Sequence, residues 1–147
     1  MSDEIDVFVQ RFQEMMVDEA RVKFGEVAFE RWQNPLHMGV ILDADAFGHA
    51  RRSCGDSVVI YLKFENERVC NAAFQTDGCA PTIICGSFAA ESAFDKTPEE
   101  IMRISETEIM ARAGGLPEEN EHCAALALGA LHEAVNNYRV NQTREEK

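Results

Sequence analysis

Basic residues are scarce in this sequence: 14 Lys and Arg stand against 26 Asp and Glu, a formal net charge of -12 with a pI near 4.7. A surface this negative repels phosphate backbones and anionic lipid, so neither nucleic acid nor a membrane is an expected partner. Long apolar runs are missing as well. The two longest uncharged apolar stretches, around residues 80–90 and 124–131, fall far short of the ~20 residues a bilayer helix needs, and the opening Met1-Ser2-Asp3-Glu4 is acidic where a secretory signal is basic. A cytoplasmic protein without signal peptide or membrane anchor is the expectation. Cysteines do not come in an even set: there are five, Cys54, Cys70, Cys79, Cys85 and Cys123. A 147-residue chain with 46% hydrophobic residues builds a core without staples, so a metal or a reactive thiol explains them better than disulfides.

Apolar positions Ile5, Phe8, Val9, Phe12, Met15, Met16 and Ala20 recur at three- and four-residue steps and predict an amphipathic helix over 3–23 with its stripe in the core. The Met15-Met16 pair reads as gap-filling core or interface. A short helical pattern through Val27, Ala28, Arg31 and Trp32 stops at Asn34-Pro35, since the residue before proline is pushed out of the α region. Residues 46–52 suit a short edge strand. Val58, Ile60, Leu62 and Phe64 then alternate with Val59, Tyr61 and Lys63, and Glu65-Asn66-Glu67 turns the chain into a second arm over 69–76. On that arm Cys70 shares a face with Ala72 and Phe74, which predicts a buried small hydrophobe.

After Asp77-Gly78 the period becomes helical, with Pro81 in the first turn where its missing N–H costs nothing. Thr97 and Ser105 each precede a Glu by three residues, the spacing of a capping box, and Gly114-Gly115 closes the second of these short helices. A last helix beginning near 119–122 carries Leu128, Leu131, Val135 and Tyr138 on one stripe before a polar tail, expected to fray, over 141–147. This order argues an α+β domain whose antiparallel sheet is covered on one face by helices.

Three cysteines occupy the ends of these elements: Cys54 in Ser53-Cys54-Gly55-Asp56 before a strand, Cys79 between a strand and a helix, and Cys123 in His122-Cys123 at a helix start. Side chains from separate segments converge at such ends, and a helix N-terminus favours the thiolate that binds metal. Cys85, six residues past Cys79, faces another side of its helix and reads as core. His37, His49 and His132 lack ligand spacing and read as surface or structural residues.

Asn34-Pro35, Cys54-Gly55-Asp56, Gly78-Cys79, Gly114-Gly115-Leu116-Pro117, His122-Cys123 and the helix ending at Asn137-Tyr138 follow one another in an order that resembles the NifU/IscU-type iron-sulfur cluster assembly scaffolds. The resemblance implies a small, three-stranded antiparallel sheet packed on a helical layer, a scaffold domain over 34–140 preceded by a helical extension over 1–33, and a site at one exposed end. It implies that Cys54, Cys79 and Cys123 hold the cluster, that Asp56 tunes its lability, and that His122 is an alternative ligand or hydrogen-bond partner. Asp56 can equally cap its turn, and His122 can bond to backbone.

The function so implied is assembly of a transient [2Fe-2S] cluster from iron and sulfur supplied by a cysteine desulfurase, with Cys123 accepting persulfide, followed by transfer to apo iron-sulfur proteins. That makes the protein a carrier more than an enzyme. Zinc suits the same set of soft thiolates with one oxygen or nitrogen donor. The alternative is a zinc-dependent sulfur transferase similar to the SufU branch, which has a longer insertion before its last cysteine and lacks the preceding histidine. Most scaffolds carry a lysine in a Leu-Pro-x-x-Lys stretch that serves a specialised heat-shock chaperone. Here the stretch ends in Asn120, which argues against chaperone-assisted release.

Overall fold

The computed structural model describes residues 2–52 and 55–145. Its centre is the hairpin of β2 (Ser57–Glu65) and β3 (Arg68–Thr76), closed by Asn66 and Glu67, both at positive φ (56° and 67°) as a two-residue turn that matches strand twist requires. A first strand, β1 (Ala46–Arg51), pairs antiparallel with β2, Gly48 opposite Ile60, and the sheet order is β1-β2-β3. Val58, Ile60 and Leu62 of β2 and Phe74 of β3 are fully buried on one face, whereas Val59, Tyr61 and Lys63 on the other are only half-buried.

Two helices cover the buried face. The first, α3 (Ala80–Ala93), is apolar nearly all round and lies inside, and Pro81 sits in its first turn as expected. The second, α6 (Glu121–Glu145), crosses β1 at very short range. A Cβ on Gly48 would collide with the Ala130 carbonyl oxygen and the Ala134 nitrogen, so bare backbone is the condition for this contact. Alanines at 127, 130 and 134 keep the facing side of α6 slim, and Tyr138 stacks on Phe64 with ring centroids 3.8 Å apart. Between α3 and α6 come α4 (Pro98–Met102), capped by a complete Thr97–Glu100 capping box, α5 (Glu106–Arg112), where Ser105 accepts from the Glu108 N–H at 3.2 Å, and a 3-10 turn over Glu118–Asn120.

Ahead of the sheet stand α1 (Ser2–Phe24) and α2 (Glu26–Gln33). Packing runs through the boundary expected after residue 33: Phe24 and Ala28 belong to the main core, and the Arg31 guanidinium lies 3.9 Å over the Phe88 ring while donating to Ser87 and Glu91. The last helix, α6, continues past residue 141 to Glu145.

Two expectations about burial are corrected. The stripe of α1 is not core: Ile5, Phe8, Phe12, Met15 and Met16 are 55–69% exposed. The C-terminal end of α1 meets the body, through Phe24, the Arg21 guanidinium 4.6 Å over Phe29, and a 3.6 Å Lys23–Glu119 ion pair. Periodicity identifies an apolar face without saying what lies opposite. Cys70 is exposed as well. The pairing runs Lys63↔Asn71 and then Phe64↔Val69, so Cys70 is the extra residue of a β-bulge and Val69 takes the inward place.

Gly48→Ala should lower stability by about 3 kcal/mol or more, because backbone rather than a flexible side chain blocks the new methyl. Gly129→Ala, whose Cβ would meet only Ala50 Cβ at 3.7 Å, should raise it by about 0.5–1 kcal/mol through helix propensity. Urea unfolding midpoints of the two variants test both signs.

Candidate metal centre

One end of the sheet gathers three chain segments. The β1–β2 connection turns at Gly55, at φ 109°, with the Gly55 N–H donating to the Arg52 carbonyl (3.0 Å) and the Arg52 N–H to the Asp56 carbonyl (2.8 Å). The segment after β3 is fastened beside it. Asp77 accepts from both the N–H and the hydroxyl of Ser57, each at 3.1 Å, Thr76 donates to the Ser57 carbonyl at 2.6 Å, and the Gly78 N–H donates to Thr76. Cys79 is the N-cap of α3 in extended conformation, and the first turn of α6 supplies Cys123.

Thr82 joins the last two. Fully buried in the first turn of α3, its hydroxyl donates to Cys123 Sγ at 3.6 Å and lies 3.6 Å from Cys79 Sγ, so the two sulfurs are within twice that distance of each other. With one proton to give, Thr82 leaves the Cys79 thiol as the donor in the other contact. A Cβ on Gly78 would come within 2.9 Å of the Thr82 side chain, so the glycine before Cys79 makes room for this bridge. Sequence reasoning passed over Thr82. The available signal was a hydroxyl residue three positions after a helix-opening cysteine, the slot that faces an N-cap.

The thiols differ in access. Cys79 is exposed, and Cys123 retains 1% of its surface. Burial raises the Cys123 pKa, with the neighbouring Cys79 and Asp56 adding to it and the Thr82 hydrogen bond and Arg52 opposing it. The thiolate-favouring environment expected at this helix start is therefore outweighed by desolvation. The same balance shows that the charges of Arg52 and Asp56 both reach Cys123. Cys85 is completely buried, as expected, and burial first, then Cys123 and Cys79, push its thiol up to about 12.

His122 is exposed beside Cys123, and Cys54 lies outside the described residues. Among the described residues no group of three or more His, Cys, Asp or Glu converges as a ready metal cage. Asn120 is buried at the end of the 3-10 turn, and its Nδ2 has no hydrogen-bond partner among the described residues. Gly114 and Gly115 before it both stand at φ 85°. His132 bonds the Ile101 carbonyl and His37 packs on Phe94, both structural roles.

With two soft thiols from different elements meeting at one rim, comparison with known proteins is informative. Residues 23–145 match the family model described as the NifU-like N-terminal domain. The iron-sulfur cluster assembly scaffold protein IscU 1 of Archaeoglobus fulgidus is 39% identical over 116 residues, 78% of this chain and 76% of that one. The iron-sulfur cluster assembly scaffold protein IscU of Aquifex aeolicus is 30% identical over 128 residues, covering 85% and 82%. The crystal structure of the N-terminal part of a NifU-like protein from Brucella abortus superposes with a TM-score of 0.67 over 82% of this chain and 96% of that one, at 16% identity, and attests the fold.

Thr82→Val keeps the shape and removes the donor, so alkylation of Cys123 in the metal-free protein should slow about five-fold, the equivalent of one neutral hydrogen bond of about 1 kcal/mol. Peptide mass spectrometry after iodoacetamide reads the rate. A second expectation concerns pH. Because the folded state raises the Cys85 pKa from 9.0 to about 12, it keeps a proton that the unfolded chain releases above pH 9. Stability of the metal-free protein is then fully present below pH 9 and falls as pH rises toward 12, less steeply in Cys85→Ala. Denaturant midpoints from about pH 8 to about pH 11 in ~0.5 steps check the slope.

Proposed function

Because this chain belongs to the family of NifU-like N-terminal domains, we propose that it is a scaffold on which a [2Fe-2S] cluster is built as cargo and then handed to apo iron-sulfur proteins. The observation that carries this reading is the meeting of Cys79 and Cys123 at the shared Thr82 hydroxyl, within range of the Arg52 and Asp56 charges. Thiolates are the ligands cluster iron prefers. Cys54, two residues before Asp56 in sequence, completes the thiolate set in this reading, and Asp56 or His122 supplies the exchangeable fourth position.

Sulfur arrives from a cysteine desulfurase. The Cys123 thiolate attacks the terminal sulfur of the desulfurase persulfide, an S–S bond forms on Cys123, and the desulfurase cysteine leaves as thiolate. Two such sulfurs need four electrons to become sulfide. Two ferrous ions supply two of them on becoming ferric, and an external one-electron donor supplies the rest. Since Cys123 is sealed, delivery requires the first turn of α6 to swing out. The turn before it is suited to this: two successive positive-φ glycines precede it, and a buried amide N–H without an acceptor costs about 1–3 kcal/mol that opening to water recovers. Arg52 opposes the burial penalty on Cys123 and so favours its thiolate.

Release depends on Asp56. A carboxylate oxygen is a hard, fast-exchanging partner for cluster iron, so it loosens the grip of three thiolates. With Asn120 buried where scaffolds carry lysine, release proceeds without the specialised chaperone. No helix among the described residues is long and apolar enough to cross a membrane, and we place the protein in the cytoplasm with the desulfurase as its partner.

Anaerobic incubation with Fe²⁺, cysteine, a reductant and a desulfurase should produce sulfide-to-iron charge-transfer bands that move to an apo-ferredoxin. Cys54→Ser, Cys79→Ser and Cys123→Ser should each lose the bands, Cys70→Ser should keep them, and Asp56→Ala should assemble a cluster that decays and transfers more slowly. Persulfide on Cys123 with zinc bound and no cluster would make the protein a zinc-dependent sulfur transferase. Persulfide confined to Cys79 or Cys85 would remove Cys123 from the acceptor role.

A further inference from the structure

The exposed face of α1 is too regular to be incidental. Ile5, Phe8, Phe12, Met15 and Val22 follow one another at steps of three, four, three and seven residues, the first and fourth positions of a heptad, with Glu19 in the one slot that departs from it. Val9 and Met16 widen the same seam on one side. Every one of these side chains is 45–86% exposed. A surface helix of a globular protein needs a stripe facing its own core, and this one has the narrower 3.5-residue seam of a helix that packs on another helix.

From this pattern we propose that α1 pairs with α1 of a second copy of this chain, antiparallel, about a centre between Gln13 and Glu14. Charge selects both the occupant and the direction. In that register Ile5 faces Val22, Phe12 faces Met15 and Phe8 faces Glu19 of the other copy, while Val9 and Met16 are diagonal neighbours on one flank and Arg11 and Asp18 on the other, each twice by symmetry. Asp18 is 73% exposed and holds only a long 3.8 Å contact to Arg21, so it is open to this pairing. A parallel pair would instead set Glu19 against Glu19 in the seam. It would also bring the acidic bodies of two chains, each chain of net charge -12 overall, to the same end of the helices, because each body is attached at the C-terminal end of α1. The antiparallel pair holds them at opposite ends of a helix about 35 Å long.

The size is sufficient. Covering these seven side chains on both copies removes on the order of 1,200 Å² from water, at the lower bound of stable protein interfaces. The inference stands on α1 alone and does not depend on the cluster reading.

Light scattering on the full-length, metal-free protein at ~50 μM, with reductant and chelator present to remove disulfide and cluster bridging, should give twice the chain mass of 16.5 kDa. Phe8→Glu with Phe12→Glu should give one chain mass with the thermal midpoint of the body unchanged within ~2 °C, since neither side chain touches the core. The register has its own test. Arg11→Asp and Asp18→Arg should each weaken association by about ten-fold, and the double swap should restore it, which a helix stabilised only from within would not do. A monomer at that concentration, a dimer that survives the double Glu variant, or a double swap no tighter than the single changes would each overturn the proposal.

Discussion

The contact between bare backbone at Gly48 and the alanine face of α6 sets the rest of the molecule. Without a Cβ, β1 lets the last helix lie against the sheet at a distance that no other residue permits. That approach fixes the axis of α6 over the buried face of Val58, Ile60 and Leu62, and so fixes where its first turn ends. Cys123 is in that first turn. A helix displaced outward by one methyl group would carry the thiol away from Thr82, so a core packing constraint far from the rim decides the geometry there.

The rim itself is built from short-range fastenings rather than from a cavity. Asp77, Thr76 and Ser57 lock the ends of two neighbouring strands together, and Gly78 leaves space for Thr82 to stand between two sulfurs. Opposite charges, Arg52 and Asp56, act on the same thiol from the β1–β2 connection. Two thiols are positioned there through one hydroxyl: Cys79 is open to solvent, and Cys123 is held back by burial.

Much of this was legible in sequence because it is local. Alternation drew the hairpin, Pro81 and the Thr97–Glu100 spacing drew helix starts, and Gly78-Cys79 and His122-Cys123 marked the element ends that meet. What escaped was decided by residues distant in sequence. The inward place at the end of β3 goes to Val69 because the partner strand skips Cys70, and a period-two pattern cannot register an inserted residue. Helix-start logic favoured an ionised Cys123, but the desolvation that reverses it comes from the sheet and α3 packed around the thiol. For α1 the stripe was visible and the absence of an internal partner was not, because periodicity is the same whether a face meets its own core or another molecule.

The bulge at Cys70 also separates reactivity from relevance. Cys70 and Cys79 are both exposed, one at the hairpin end and one at the rim, so a thiol reagent applied to the native protein reacts with both at similar ease of access. Among the described cysteines, titrating accessible sulfhydryls therefore counts Cys70, which lies away from the rim, while Cys123 reacts only as its helix turn opens. The same accident of strand pairing makes Cys70 a natural attachment point: a dye or spin label placed there sits on the solvent side of the sheet, outside the core, and reports on the protein without touching the two thiols joined through Thr82.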